Sequence, residues 1–147
     1  MTDIEALKEC RLATIEEKAL SRQINRLAMI GGPQGIGSQA IEPAGDRKTN
    51  NLAASKMQQI EGLIERLNRK RDENINIIQR AEMVIEKIED RWDRIVVRYY
   101  YVEGISEYEI AREIEKSRQW VNQRRNKVLV ELEISKKRKR NSRNLLN

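Results

Sequence analysis

A chain of 147 residues, 35% charged and 39% hydrophobic, has room for one ordinary domain or for a small domain with an extended element. Aromatics make up 4%, Phe is absent and His is absent, which disfavours an all-β fold and removes the Ser–His and Cys–His dyads. The single Cys10 excludes an intrachain disulfide and a thiolate zinc cluster, and no apolar run approaches the roughly 18 residues that cross a bilayer.

The expectation is therefore a binding protein rather than an enzyme, with no cofactor and no membrane partner. Residues 1–5 lack a signal-peptide pattern, so a cytoplasmic location is expected.

From Ile4 to about Met29 the spacing predicts a helix. Its apolar stripe is Ile4, Leu7, Leu12, Ile15, Leu20, Ile24 and Leu27, with Cys10 nearby as a small apolar residue. This element is bounded as residues 1–30. Gly31-Gly32-Pro33 stops it. Residues 31–50, with five of the seven glycines and both prolines, read as a linker. Gly32-Pro33-Gln34-Gly35-Ile36-Gly37 superficially suggests a phosphate loop, but no Lys-Ser/Thr pair follows it and no strand precedes it.

Residues 51–91 carry a longer helical pattern. Its stripe is Ile60, Ile64, Leu67, Arg71, Asn74, Ile78, Ala81, Ile85, Ile88 and Trp92, in alternating steps of three and four. That alternation averages the coiled-coil spacing of about 3.5 residues. So long a helix needs a partner, either the first helix folded back on it or a second chain, and a homodimer is expected. Arg71 and Asn74 interrupt the stripe, where they either fix register or turn that face to water. Residues 90–101 form a third apolar element that either continues the long helix or begins a new one. Of Tyr99, Tyr100 and Tyr101, one or two are expected to pack. The acid pairs Glu16-Glu17 and Glu89-Asp90 read as solvated or ion-paired.

A turn at Gly104-Ile105 leads into Ser106, which with Glu109 forms a capping-box pattern. Ile110, Ala111 and Ile114 give the short helix that follows one apolar face. Glu115-Lys116 make a tight turn, and Ser117 caps the next helix. Val121, Val128, Leu129 and Leu132 are its inward side, with Trp120 packing beside Val121. Two helices joined this tightly, with a small Ala111 at their crossing, predict a helix-turn-helix within residues 92–134. The expected fold is all-α, a long helical hairpin or coiled coil followed by a C-terminal helix-turn-helix domain.

The second helix of such a motif projects from its domain. Arg118, Gln119, Asn122, Gln123 and Asn126 are residue types that read base edges in a major groove, Arg pairing with guanine and Asn or Gln with adenine. Ser117, Arg124, Arg125 and Lys127 suit phosphates. Charge points the same way. Lys plus Arg is 29 against 23 for Asp plus Glu, a net +6. The whole surplus lies in a basic tail, residues 135–147, with Lys136, Lys137, Arg138, Lys139, Arg140 and Arg143 and no acid. The first five of these are further candidate phosphate contacts. Residues 103–116 carry a net −3 and residues 117–127 no acid at all, a sign change that suits one surface to a polyanion.

The run Tyr101-Val102-Glu103-Gly104-Ile105-Ser106-Glu107-Tyr108-Glu109-Ile110-Ala111, followed by Ile114, Ser117, Val121, Arg124, Leu129 and Leu132, resembles region 4 of bacterial sigma factors. The likeness covers about residues 95–132. The order of the whole chain is similar to phage-encoded sigma-like regulators of the ArpU and RinA kind. That resemblance implies a phage or prophage transcriptional regulator of the late-gene-activator type, working in the cytoplasm of a bacterial host. It implies double-stranded DNA and host RNA polymerase as partners. It places Arg118, Gln119, Asn122 and Gln123 at base-reading positions and Val121 and Leu129 in the core.

The chain departs from the pattern at Glu115, where many such motifs place Gly. A left-handed backbone there costs a non-glycine residue on the order of 1 kcal/mol. No segment resembles the sigma region that melts promoters, so a complete sigma factor is not expected. Three alternatives remain, one of them a membrane-surface protein that uses the basic tail against acidic lipid. A phage small terminase subunit also joins a helix-turn-helix to an oligomerising hairpin and assembles as a ring. An RNA-polymerase-binding module would use the same fold without reading DNA.

Overall fold

A computed structural model describes residues 1–30 and 47–146, with side chains for all of these except residues 30, 47–50 and 146. The described chain is all-α. In order it forms α1 (Asp3–Ile30), α2 (Arg47–Glu86), α3 (Arg91–Val97), a π-helical turn (Arg98–Val102), α4 (Glu107–Glu113) and α5 (Arg118–Leu146). Among the described residues no helix is long and apolar enough to cross a membrane. The phosphate-loop-like pattern and most of the expected linker, residues 31–46, lie outside the described residues. Residues 47–50, expected in the linker, are the first turn of α2.

The chain divides into two compact units, one of residues 1–15 with everything from Asn74 onward, the other of residues 16–73. The division cuts across the linear order expected from sequence because α1 and α2 each contribute to both units.

In the unit of residues 16–73, the two helical stretches turn Glu17, Leu20, Ile24 and Leu27, and Ile60, Leu63, Leu67 and Lys70, away from solvent in steps of three and four. Leu20 and Leu67 are buried, each stabilising by about 1.5–3 kcal/mol. Lys70 Nζ donates to Glu16 Oε2 at 2.6 Å, with both side chains partly exposed. A pair in that setting adds under ~1 kcal/mol. Ile64 differs from the expected stripe, being 42% exposed, and Arg71 takes the second of its two readings and faces water. Leu63 and Lys70 take their places, because the alternation runs one residue out of phase there.

The other unit holds the core. Ala6, Leu7 and Cys10 of α1 and Ala81, Val84 and Ile85 of α2 pack with Ile88, Val97, Tyr101 and Val128. Leu12 and Ile15, expected on the apolar stripe of α1, are exposed at 63% and 42%. The inward line runs instead through the small residues Ala6, Cys10 and Ala13, all buried. Leu7 of the expected stripe is buried beside them. Asn74 is buried, so the polar interruption of the stripe at that position is an interior one.

Residues 90–101 begin a new element. Past Glu86 the backbone tightens, Lys87 N bonding Val84 O at 3.2 Å and Ile88 N bonding Ile85 O at 3.0 Å. Arg94 Nη1 then donates to the carbonyls of Ile88 and Glu89 at 2.7 and 2.9 Å. Asp90 caps α3, its carboxylate accepting from Asp93 N at 3.0 Å. The break rotates Trp92 off the core stripe, and it is 39% exposed.

The π-helical turn buries Tyr101 and leaves Tyr99 and Tyr100 half-buried. Two of its carbonyls are met from α1: Arg11 Nη1 donates to Tyr100 O and, beyond the turn, to Ile105 O at 3.2 Å, and Thr14 Oγ1 donates to Val102 O at 2.8 Å. Arg98 closes a two-bond pair with Glu82 of α2 at 3.2 and 2.8 Å. Gly104, at φ 67, supplies the left-handed residue that leaves the turn.

Candidate nucleic-acid interface

The helix-turn-helix is built from its caps inward. Ser106 Oγ accepts from Glu109 N at 3.2 Å and starts α4. Ser117 Oγ accepts from Trp120 N at 3.1 Å and starts α5. Each such cap is worth about 1 kcal/mol. Between them α4 ends in a bond from Lys116 N to Ala111 O at 3.0 Å, with Glu115 left-handed at φ 56. This is the six-to-one closure that normally takes a glycine. The turn therefore has the ordinary geometry of a helix end, held by a residue that is strained in it.

A second core sets the crossing of the helices. Val96 of α3, Ile110 and Ala111 of α4 and Val121 of α5 are buried together, with Tyr99, Ile105, Ile114 and Trp120 packed around them. Trp120 is half-buried, its ring edge-on to Trp92 with centroids 5.7 Å apart. Lys116 Nζ sits 5.4 Å from both rings. Val128, about two turns further along α5, enters the other core beside Tyr101. Two buried valines seven residues apart fix one side of α5, and so fix which side faces out.

That outer side carries Arg118, Gln119 and Gln123, all exposed, with no hydrogen-bonded or charged partner among the described residues. Asn122 is half-buried and donates through Nδ2 to Glu107 Oε1 at 3.2 Å. Asn126 Nδ2 donates to Asn122 Oδ1 at 3.0 Å. The five candidate base readers thus share one face, but two of them are chained to α4. Their amides already have partners, which holds them in one orientation.

The candidate phosphate residues separate into three groups. Ser117 is exposed and uses its hydroxyl oxygen as the cap. Arg124, Arg125 and Lys127 are engaged inside the domain. Arg124 Nη1 donates to Asp90 Oδ1 and Asp93 Oδ1, both at 3.2 Å, and its guanidinium lies 4.7 Å from the Trp120 ring centre. Lys127 Nζ donates to Asp93 Oδ2 at 3.2 Å. Arg125 donates to the Tyr101 hydroxyl at 3.3 Å and to Glu107 Oε1 at 3.4 Å, and stacks 4.3 Å from the centre of Tyr100. Glu107 Oε2 and Arg125 Nε are buried without a hydrogen-bond partner among the described residues. Burial pushes the Tyr101 phenol above its ordinary 10.0, against the lowering effect of the Arg125 bond.

The third group is Lys136, Lys137, Arg138, Lys139 and Arg140. They do not form a separate tail. They continue α5 as helix and are exposed. Lys136, Lys139 and Arg140, with Arg143, line one side of a groove whose other wall is residues 1–4. Neither glycine nor proline occurs between Arg118 and Leu146, so nothing in the sequence stops the helix at residue 134.

Sequence spacing gives no hint of the acids that engage these cations. Asp90 is legible as a cap, standing before Arg91-Trp92-Asp93 in the manner of an N-terminal Asp. Asp93 and Glu107 are ordinary acids in sequence, and only the packing of α5 across α3 and α4 shows what they hold. No family model, curated protein or solved structure matches the chain.

Proposed function

We propose that this chain is a non-catalytic, sequence-specific DNA-binding protein that regulates transcription, of the phage sigma-like kind its helix-turn-helix resembles. The observation that carries the reading is the exposed face of α5, where Arg118, Gln119 and Gln123 stand unengaged on the first two turns of a helix whose opposite side is locked by Val121 and Val128. A helix presented in that way fits a major groove, and a bidentate Arg or Gln distinguishes bases there. The exposed cations from Lys136 to Arg143 supply salt-dependent attraction to the backbone. A homodimer would offer two reading heads, and host RNA polymerase is the second partner in the same proposal.

Selection of bound sequences from random duplex DNA, at a stated salt concentration, tests this reading. It is expected to return a defined site. Arg118→Ala should then cost about 1–3 kcal/mol on that site and relax preference at one base position. Enrichment of no site, or an unchanged preference in Arg118→Ala, rejects α5 as the reading helix.

A further inference from the structure

Asp93 is the one charged side chain that is buried among the described residues, and it sits beneath the helix proposed to meet DNA. Its carboxylate is 2% exposed and takes both Arg124, through Oδ1, and Lys127, through Oδ2, at 3.2 Å each. Asp90 Oδ1 accepts from the same Arg124 nitrogen at 3.2 Å. The cations remain in reach of solvent, with Arg124 28% and Lys127 51% exposed. They are therefore placed where a phosphate could approach them, yet their charge is answered from within. A duplex that drew them away would leave a carboxylate alone in a low-dielectric interior, which is strongly unfavourable.

Resting on the DNA-binding reading above, we propose that Asp93, aided by Asp90, is a specificity-determining residue. It withholds Arg124 and Lys127 from phosphates. The reading segment of α5 is thereby left with Arg118 as its unengaged cation. Sequence-independent attraction is lowered while base recognition is kept, so the ratio of specific to non-specific binding rises. Phosphate recognition carries no sequence information, and each phosphate left out of the non-specific mode widens that ratio.

Affinity of the full chain for a random-sequence duplex, measured across salt concentrations, reads how many phosphates the protein neutralises. The slope of log K against log salt changes by about 0.9 for each phosphate. Lys127→Gln is expected to leave the wild-type slope unchanged. Asp93→Asn is expected to steepen it by about 1–2, as one or two more phosphates are neutralised, and to tighten random-duplex binding by roughly tenfold near 0.1 M salt. Adding Lys127→Gln to Asp93→Asn should then flatten the slope again by about 0.9.

Should Asp93→Asn lose its helical fold by circular dichroism, Asp90→Asn, which is expected to steepen the slope in the same sense, and Lys127→Gln alone decide the matter. A flatter slope in Lys127→Gln, or an unchanged slope in whichever folded Asp→Asn variant is measured, overturns the proposal while leaving DNA binding intact. A wild-type chain that binds no duplex at any salt overturns the DNA reading and this proposal with it.

Discussion

Tyr101 is buried in the larger core, and its neighbour Tyr100 packs against both cores. The Tyr101 ring is buried with Val97 and Val128, meets Tyr100 edge-on at 4.8 Å between centroids, and its hydroxyl accepts from Arg125. Burial disfavours the phenolate, so the folded state holds the proton more tightly than the unfolded chain does. The phenol's contribution to stability is complete below pH 10.0 and falls as pH rises above it, where the unfolded chain ionises first. Urea denaturation at pH 8 and near pH 11 should show wild type losing more stability than Tyr101→Phe, which lacks the titrating group. At pH 8 the variant should itself be weaker by about 1 kcal/mol, for the lost hydrogen bond. Equal losses in the two proteins would show that the phenol does not ionise differently on folding. Among the three tyrosines the sequence pattern tells that one or two must pack, but not which. A π-helical turn changes the phase of the helix, and periodicity has no sign for it.

At the scale of elements, the turn between α4 and α5 shows both what patterning tells and where it stops. Ser106 and Ser117 mark the helix starts in sequence, and their hydroxyls accept the expected backbone bonds, but of the Ser106–Glu109 capping box only the half from Glu109 N to Ser106 Oγ is made among the described residues. Glu115 is visible in sequence as the departure from a glycine, and it occupies the left-handed region at φ 56. Glu115→Gly should relieve that strain and raise stability by about 0.5–1 kcal/mol in chemical denaturation, less than the full backbone cost because glycine also loosens the unfolded chain. A loss of stability would mean that the glutamate side chain contributes more than its backbone costs.

The long helices are harder to phase from sequence. Leu12, Ile15, Ile64 and Trp92 are apolar and fall near helical spacing, yet they face solvent, while Ala6, Cys10, Ala13 and Leu63 face inward. A stripe drawn through large apolar residues passes over the small ones that share the buried face. The extent of α5 is hidden for a related reason: a run of cations looks like a solvated tail, but Lys and Arg are good helix formers and continue a helix that is already nucleated.

For the whole molecule, the all-α class is legible from the periodicity and the lack of β-forming runs. The division into units is not. Residues 1–15 are far in sequence from residue 74 onward, and the bonds from Arg11 and Thr14 to the carbonyls of Tyr100 and Val102 leave no trace in composition. Assembly belongs to this scale too. Leu52, Met57 and Ile64 stay exposed on α2, and a second copy covering them is part of the regulator reading. Light scattering at micromolar concentration should give twice the chain mass. A ring of many subunits would favour the packaging alternative, and a monomer would remove the two reading heads from the proposal.

Because α5 runs without interruption from Arg118 to Leu146, about 43 Å at 1.5 Å per residue, its cationic stretch and the tip proposed to read bases belong to one lever. Whatever anion seats the charged end also sets the angle at which Arg118 and Gln119 are offered. Searching and reading would then be two moments of a single rigid approach.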